Sequence, residues 1–205
     1  MMRLAMRQSR IAYHADFVVY PALIVGTILA IAAWRSPQLR VIALGIAAAG
    51  IVLWTLLEYL LHRFVLHGDT RIGGLHDQHH ARPRAWIGTP TWLSITVIAC
   101  FALMPILLGA PAIVGLSLAA GLMAGFLWYA LTHHVIHHGN PQFLARVLAS
   151  ATRHHFEHHR QQGIGNFGVT TRLWDRLFRT SLSALTPTGH SEARARAREL
   201  GGGGR

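Results

Sequence analysis

Four long runs of apolar residues alternate with polar segments along this chain, and each run is 17 to 21 residues long. They cover Phe17–Trp34, Val41–Leu61, Trp92–Leu108 and Ala112–Leu131. A helix of about 20 residues spans roughly 30 Å, which is the thickness of the hydrocarbon core of a bilayer. The runs lack the strict apolar–polar alternation of barrel strands, so they predict four membrane-spanning helices.

The connections between the runs alternate in length. Arg35–Arg40 and Gly109–Pro111 are short, whereas the middle connection, His62–Thr91, is long and polar. This pattern predicts an all-α integral membrane protein with four transmembrane helices in two hairpins. Both termini and the middle connection then lie on one membrane face, and a histidine-rich helical cap lies on the same face. All but two of the 19 arginines fall on that face, so the positive-inside rule places it in the cytoplasm.

The same pattern divides the chain into three parts. Residues 1–16 are predicted to form a cytoplasmic N-terminal segment and residues 17–180 the membrane domain. Residues 181–205, which end in four glycines and an arginine, are predicted to form a disordered tail. We expect a multi-pass protein of the bacterial inner membrane.

Composition supports the membrane interpretation. The chain of 205 residues is 52% hydrophobic and only 13% charged, whereas soluble domains carry about 25% charged residues. The net charge is +11, and every basic residue is an arginine. Because the arginines flank apolar runs, they favour an anionic membrane surface over nucleic acid as the partner. A single cysteine, Cys100, excludes an internal disulfide and is predicted to be a small buried hydrophobe.

A further helix is predicted after the fourth run. Asn140 is a suitable N-cap, and Pro141 suits the first helical position. An apolar stripe then follows at Phe143, Leu144, Val147, Leu148 and Ala151. Such a stripe predicts a helix that lies on the membrane surface or packs beneath the cap.

Thirteen of the 15 histidines fall in four clusters within residues 62–159. The clusters are HRFVLH at 62–67, HDQHH at 76–80, HHVIHH at 133–138 and HHFEHH at 154–159. Residues three and four apart share one face of an α-helix, so three of the clusters each direct several imidazoles the same way. His62 and His67 are five apart, and we expect the helix to end between them.

Neutral imidazole is the commonest protein ligand of metal ions, and four clusters on one membrane face predict a metal centre. One first-row ion takes about four to six ligands, so ten or more imidazoles predict two ions. An all-nitrogen site suits Fe, Zn, Cu or Ni, and the spacing leaves the metal open. A metal transporter should place its ligands near the membrane midplane and not at one membrane face. A metal-binding or metal-transport protein is the non-enzymatic alternative.

The four clusters in this order resemble the boxes of the membrane fatty acid hydroxylase / sterol desaturase superfamily. Members of that superfamily carry HxxxxH or HxxxH, then HxxHH, then a histidine pair and finally a second HxxHH. The segments NFGVTT at 166–171 and WDRLF at 174–178 are similar to the C-terminal part of the superfamily. The resemblance covers roughly Phe17 to Thr180. It implies two metal ions, usually iron, with zinc possible in purified protein. The ligands that it implies are His62, His67, His76, His79, His80, His133, His137, His155, His158 and His159.

The resemblance also implies an activity. We expect an oxidoreductase that hydroxylates an unactivated C–H bond of a lipid, such as a fatty acyl chain or a sterol, with O2 and external electrons. A lipid desaturase or a carotenoid hydroxylase with the same site is the alternative. Since neither end of the chain contains a recognisable haem domain, we expect a separate electron donor of the ferredoxin or cytochrome type.

Seven further residues are candidate hydrogen-bond partners of the ligands. Glu58 lies one turn before His62 at the end of an apolar run, where an ionisable residue is functional by default, and we expect it to bind a ligand imidazole. His134 stands where the superfamily often has tyrosine. The remaining candidates are His138, His154, Asp77, Glu157 and Asp175.

Overall fold

The computed structural model describes residues 9–70 and 72–182, and within these ranges the chain is all-helical. Its elements are α1 (Arg10–His14), α2 (Asp16–Ala32), α3 (Pro37–Leu60), a π-helical segment (Leu61–Leu66), α4 (Gly73–Ala81), α5 (Thr91–Leu107), α6 (Ala112–His138), α7 (Pro141–Val147), α8 (Ala149–Arg160) and α9 (Leu173–Leu177). Half of the predicted N-terminal segment and most of the predicted tail lie outside the described residues.

Three segments are long and apolar enough to cross a membrane. They are Arg10–Ala32, Pro37–Leu66 and Ala112–His138. They contain the second and fourth predicted runs and all but the last two residues of the first. The third run forms α5, which has 17 residues and is therefore about 25 Å long. The predicted all-α architecture is confirmed with three candidate spans, while the fourth span, the hairpin topology and the cytoplasmic cap stay predictions.

Short-range signals explain where these helices begin. Ser36 precedes α3, and its hydroxyl accepts a hydrogen bond from the backbone N–H of Leu39 at 3.3 Å, while Pro37 occupies the first position. Gly109, with φ of +90°, makes the tight turn between α5 and α6. Asn140 caps α7 as predicted, because its side-chain oxygen accepts from the N–H of Gln142 at 2.8 Å.

The apolar core lies around α6, which packs against α2, α3 and α5. Phe126 of α6 contacts Tyr20 and Trp54, with ring centroids 4.3 and 5.2 Å away. The buried hydroxyl of Tyr20 donates to Ser94 of α5 at 2.7 Å, so the polar group is satisfied inside the bundle. These contacts hold the helix ends that carry the histidines.

A small residue sets the distance between α3 and α6. A Cβ atom at Gly121 would lie only 2.0 Å from the carbonyl oxygen of Ala47 and 2.9 Å from Cα of Gly50. The two backbones therefore lie so close together that only glycine fits at this position. Small residues commonly allow membrane helices to pack closely in this way.

The helix that carries His62 ends at Leu66, between the two histidines, so that expectation is confirmed. The last turn is the π-helical segment, and the N–H of His67 donates to the carbonyl of His62 at 3.1 Å. Because a π-helix bonds residues five apart, side chains at this spacing share a face. The two imidazole centroids consequently lie 5.1 Å apart.

Two further expectations need correction. The helix predicted after Asn140 is broken at Leu148 into α7 and α8, so the apolar stripe is divided between two helices. Phe143 and Val147 of α7 remain exposed. Cys100 is also exposed, because α5 presents it on its outer face rather than towards α6.

Candidate metal centre

Ten imidazoles converge at one end of the bundle as two groups of five. Within each group, one ring nitrogen from every residue lies within 4.8 Å of the others. Group 1 consists of His62, His67, His76, His80 and His158, and group 2 consists of His79, His133, His137, His155 and His159. These are the ten histidines for which metal ligation is predicted. The structure brings all of them together, and ligation itself stays a prediction.

Two elements each supply a single group. The π-helical segment and the residue after it provide His62 and His67 for group 1. The last turns of α6 provide His133 and His137 for group 2, since the helix extends beyond its apolar run to His138. These four histidines thus lie at the ends of candidate spans, and the packing of the spans fixes the position of the histidines.

Two other helices supply both groups. α4 gives His76 and His80 to group 1 and His79 to group 2, and α8 gives His158 to group 1 and His155 and His159 to group 2. Residues four apart share a helical face, whereas the adjacent residue points about 100° away. Each of these helices therefore lies between the groups and presents a different face to each.

The spacing of the nitrogens fits metal coordination. In group 1, Nε2 of His62 lies 2.9 Å from Nε2 of His76, and in group 2 the Nε2 atoms of His137 and His155 are also 2.9 Å apart. Metal–imidazole bonds of about 2.1 Å put neighbouring donors roughly 3.0 to 3.4 Å apart. Both ring nitrogens of His79 are buried without a hydrogen-bond partner among the described residues, as expected of a ligand position.

The surroundings keep these imidazoles neutral. Burial is the largest cause that lowers the pKa of His79, His158 and His159, each to about 2, and neighbouring histidines lower it further. Burial likewise lowers the pKa of His80 to about 4. Neutral imidazole is the form that binds metal ions, so the site requires no deprotonation at neutral pH.

Backbone carbonyls orient two predicted ligands of group 1. Nδ1 of His62 donates to the carbonyl of Phe167 at 2.5 Å, and Nδ1 of His158 donates to the carbonyl of Gly165 at 2.7 Å. Since a carbonyl can only accept, the proton is on Nδ1 and the lone pair of Nε2 faces the group. Such outer hydrogen bonds fix the tautomer and orientation of ligating histidines.

Asp175 holds the loop that carries these carbonyls. Its fully buried carboxylate accepts from the backbone N–H groups of Phe167 and Gly168, both at 2.8 Å, and from the hydroxyl of Thr180 and Nε2 of His154. Burial alone raises the pKa of Asp175, but these hydrogen bonds outweigh burial and lower the pKa. Asp175 and His154 thus support the ligands indirectly.

Glu58 holds the next part of the same loop. Its Oε1 accepts from the N–H groups of Val169 at 2.6 Å and Thr170 at 3.0 Å, and Oε2 accepts from the Thr170 hydroxyl. The predicted hydrogen bond from Glu58 to a ligand imidazole is wrong, because the Phe167 carbonyl already occupies the outer nitrogen of His62.

Two other predicted histidines lie outside both groups. Nδ1 of His134 is 3.1 Å from the hydroxyl of Tyr13, and His138 stacks on Trp86 with centroids 4.3 Å apart. Both pack on the outer side of α6, away from the side that provides the ligands of group 2.

Of the two remaining predicted carboxylates, Glu157 binds another residue than a ligand, and the role of Asp77 stays a prediction. Glu157 pairs with Arg160 at 2.6 Å on the outer face of α8. Asp77 is exposed, and its charge raises the pKa of His67 and His80 against the larger lowering by burial.

Sequence reasoning missed the backbone part of the site. The acceptors at Gly165 and Phe167 are main-chain groups, and Gly163, with φ of +77°, packs against His67 so closely that a Cβ atom would lie 2.1 Å from its ring. The resemblance of the NFGVTT segment to the superfamily was the signal that pointed here.

Comparison with known proteins places the chain in a family. The sequence model of the family described as Fatty acid hydroxylase matches residues 47–180. A dihydroceramide fatty acyl 2-hydroxylase, FAH2 of Arabidopsis thaliana, is 33% identical over 148 residues, which are 66% of this chain and 60% of that protein. The fatty acid 2-hydroxylase of Homo sapiens is 32% identical over 155 residues, which are 70% of this chain and 40% of that protein.

A solved structure shares the fold. The structure described as full-length scs7p, with only the hydroxylase domain visible, matches with a TM-score of 0.67 at 25% identity and covers 87% of this chain and 69% of that chain. The chain thus spans only part of the length of its curated relatives. The family match includes all ten histidines of both groups, and the chain therefore belongs to the fatty acid hydroxylase family.

Proposed function

We propose that this chain is a membrane oxygenase that hydroxylates the acyl chain of a lipid with O2 and external electrons. The observation that carries the proposal is the pair of five-histidine groups at one end of an apolar bundle. The relatives are named as fatty acyl or fatty acid 2-hydroxylases, which favours hydroxylation over desaturation and carbon 2 as the position.

Each group would hold one metal ion, and iron is the metal that we propose, with zinc able to take its place. Bound iron supplies the activation of O2 and the attack on an unactivated C–H bond. The protein supplies neutral imidazoles, and the carbonyls of Gly165 and Phe167 keep the Nδ1 protons of two ligands directed outward.

Two small cavities support an approach of the acyl chain from the bilayer. One, of about 30 Å³, lies among α3, α5 and α6 and reaches His62. The other, of about 20 Å³, reaches ligands of both groups. The cavities share Leu66, Thr89 and Tyr129 in their walls. Because both are too small for an acyl chain, we propose that these three side chains move apart when a chain enters.

The membrane arrangement forms part of the proposal. We propose that α5 crosses as a fourth span, and that the histidine groups and both termini face the cytoplasm of a bacterial inner membrane. The distribution of arginines along the sequence supports this orientation. Electrons would come from a separate ferredoxin- or cytochrome-type donor.

The test is a product assay with a matched histidine control. The full chain, His79→Ala and His14→Ala are expressed in one host, and 2-hydroxy fatty acids are measured by mass spectrometry under 18O2. His14 is exposed and lies outside both groups. Removing an outer partner of a ligand costs about 10- to 100-fold, so loss of a ligand should lower the labelled product at least about 100-fold.

The His14→Ala variant should form product at the wild-type level. The proposal is overturned if the wild-type chain forms no labelled 2-hydroxy acid, or if His79→Ala forms as much as His14→Ala. An unsaturated product without 18O would favour the desaturase.

A further inference from the structure

A third cavity, of about 480 Å³, lies where α6 ends and α7 and α8 begin. Most of its wall is apolar. The apolar residues are Pro83, Ile136, Pro141, Ala149 and Phe156. The cavity shares no residue with the two smaller cavities, and one ligand of group 2, His137, reaches it. Its volume lies within the range of about 300 to 1,000 Å³ that is typical of ligand sites.

Two arginines make this apolar cavity cationic. Arg84 and Arg153 both line it. Glu157, one helical turn after Arg153, is bound by Arg160 at 2.6 Å and leaves the charge of Arg153 available. Thr152 also lines the cavity. Two guanidinium groups are suited to the oxygens of a phosphate or a carboxylate.

The position of the cavity indicates which anion it receives. It adjoins the C-terminal end of the candidate span Ala112–His138, and the end of a helix that crosses a bilayer lies near the lipid head groups. Nearby, Phe143, Val147 and Phe156 are 49%, 62% and 45% exposed, and α7 also carries the exposed Arg146. Exposed apolar side chains beside arginines are typical of surfaces embedded among acidic lipid heads.

We propose that this cavity binds the head group of an anionic bilayer lipid, with Arg84 and Arg153 on the head-group oxygens and the acyl chains along the apolar wall. The lipid is bound and not converted, so the proposal does not depend on the hydroxylase activity.

The test measures lipid retention by the full-length protein in a neutral detergent. The protein is mixed with equal amounts of phosphatidylglycerol and phosphatidylcholine that have identical acyl chains, and lipid that remains after gel filtration is counted by mass spectrometry. Each arginine near acidic lipid contributes about 1 kcal/mol, which is roughly fivefold in binding. We expect wild-type protein to retain phosphatidylglycerol at least about fivefold over phosphatidylcholine.

The double variant Arg84→Gln/Arg153→Gln should lose this preference. Arg35→Gln/Arg40→Gln is the matched control, because it removes the same charge from exposed positions just before α3 and in its first turn. Arg84→Lys/Arg153→Lys retains the charge and should keep most of the preference. An unchanged gel-filtration profile and metal content show that the variants fold.

Three results would overturn the proposal. One is equal retention of both lipids by the wild-type protein. This measurement tests the proposal even if the glutamine variant does not fold. Another is equal loss of preference in the Arg35→Gln/Arg40→Gln control, which indicates general charge attraction. The third is complete displacement of phosphatidylglycerol by inorganic phosphate, which indicates a site for the free anion.

Discussion

Asp175 shows how a residue that touches no predicted ligand can orient one. Its carboxylate binds the N–H of Phe167, and the carbonyl of Phe167 receives the Nδ1 proton of His62. An asparagine at this position would offer one acceptor oxygen and would turn an N–H₂ group towards backbone N–H donors. The loop would then lose part of its support, and His62 would lose its fixed direction.

We therefore predict that Asp175→Asn lowers metal affinity about 10- to 100-fold, as loss of an outer hydrogen-bond partner usually does. The measurement is metal content by plasma mass spectrometry after dialysis against a graded chelator. Glu157→Gln is the control, because Glu157 pairs with Arg160 on the outer face of α8. Equal metal retention by the two variants would contradict this positioning role.

At the level of elements, the crossing of α3 and α6 places the histidine-bearing ends. We predict that Gly121→Ala destabilises the bundle by about 1 to 3 kcal/mol, since the new Cβ would overlap the carbonyl of Ala47. Gly45→Ala is the matched control, because nothing lies within 4 Å of a Cβ there. Thermal unfolding in detergent measures both, and a Gly121→Ala midpoint at or above that of Gly45→Ala would refute the prediction.

The elements also show what the sequence could predict. A long apolar run in a membrane has one stable form, so the start of α6 at Ala112 followed from hydropathy alone, and the bounds of α5 followed to within one residue. The π-helical segment did not, because six residues are too few to show a different helical period in the sequence. The carbonyls of Gly165 and Phe167 were also unpredictable, since every residue has such a group and only the fold selects two.

On the scale of the whole molecule, the full or partial burial of ten imidazoles makes the metal-free fold sensitive to acid. The pKa of His80 is lowered to about 4, and that of His79, His158 and His159 to about 2, chiefly by burial. A histidine in the unfolded chain takes up a proton near pH 6.5. A lower pKa in the folded state thus stabilises the fold above that pH, and this contribution is lost as the pH falls below it.

We predict that the unfolding midpoint of the metal-free protein falls progressively between pH 7 and pH 4. The unfolding midpoint of the metal-loaded protein should stay constant over the upper part of this pH range, because a bound ion keeps the imidazoles deprotonated. Thermal scans with and without a chelator at each pH provide the measurement. A flat profile for the metal-free protein would argue against buried neutral histidines.

If each group holds an ion as proposed, the division of α4 and α8 between the two groups would couple their occupancy. An ion in one group would immobilise both helices and thereby pre-arrange the three imidazoles that these helices give to the other group. Such coupling is reciprocal: each ion raises the affinity for the second by the same factor. Native mass spectrometry during a metal titration should then show chains with no ion or two, and few with one. In a cell with fluctuating iron, the number of active molecules would follow the supply steeply, and half-assembled centres would be scarce.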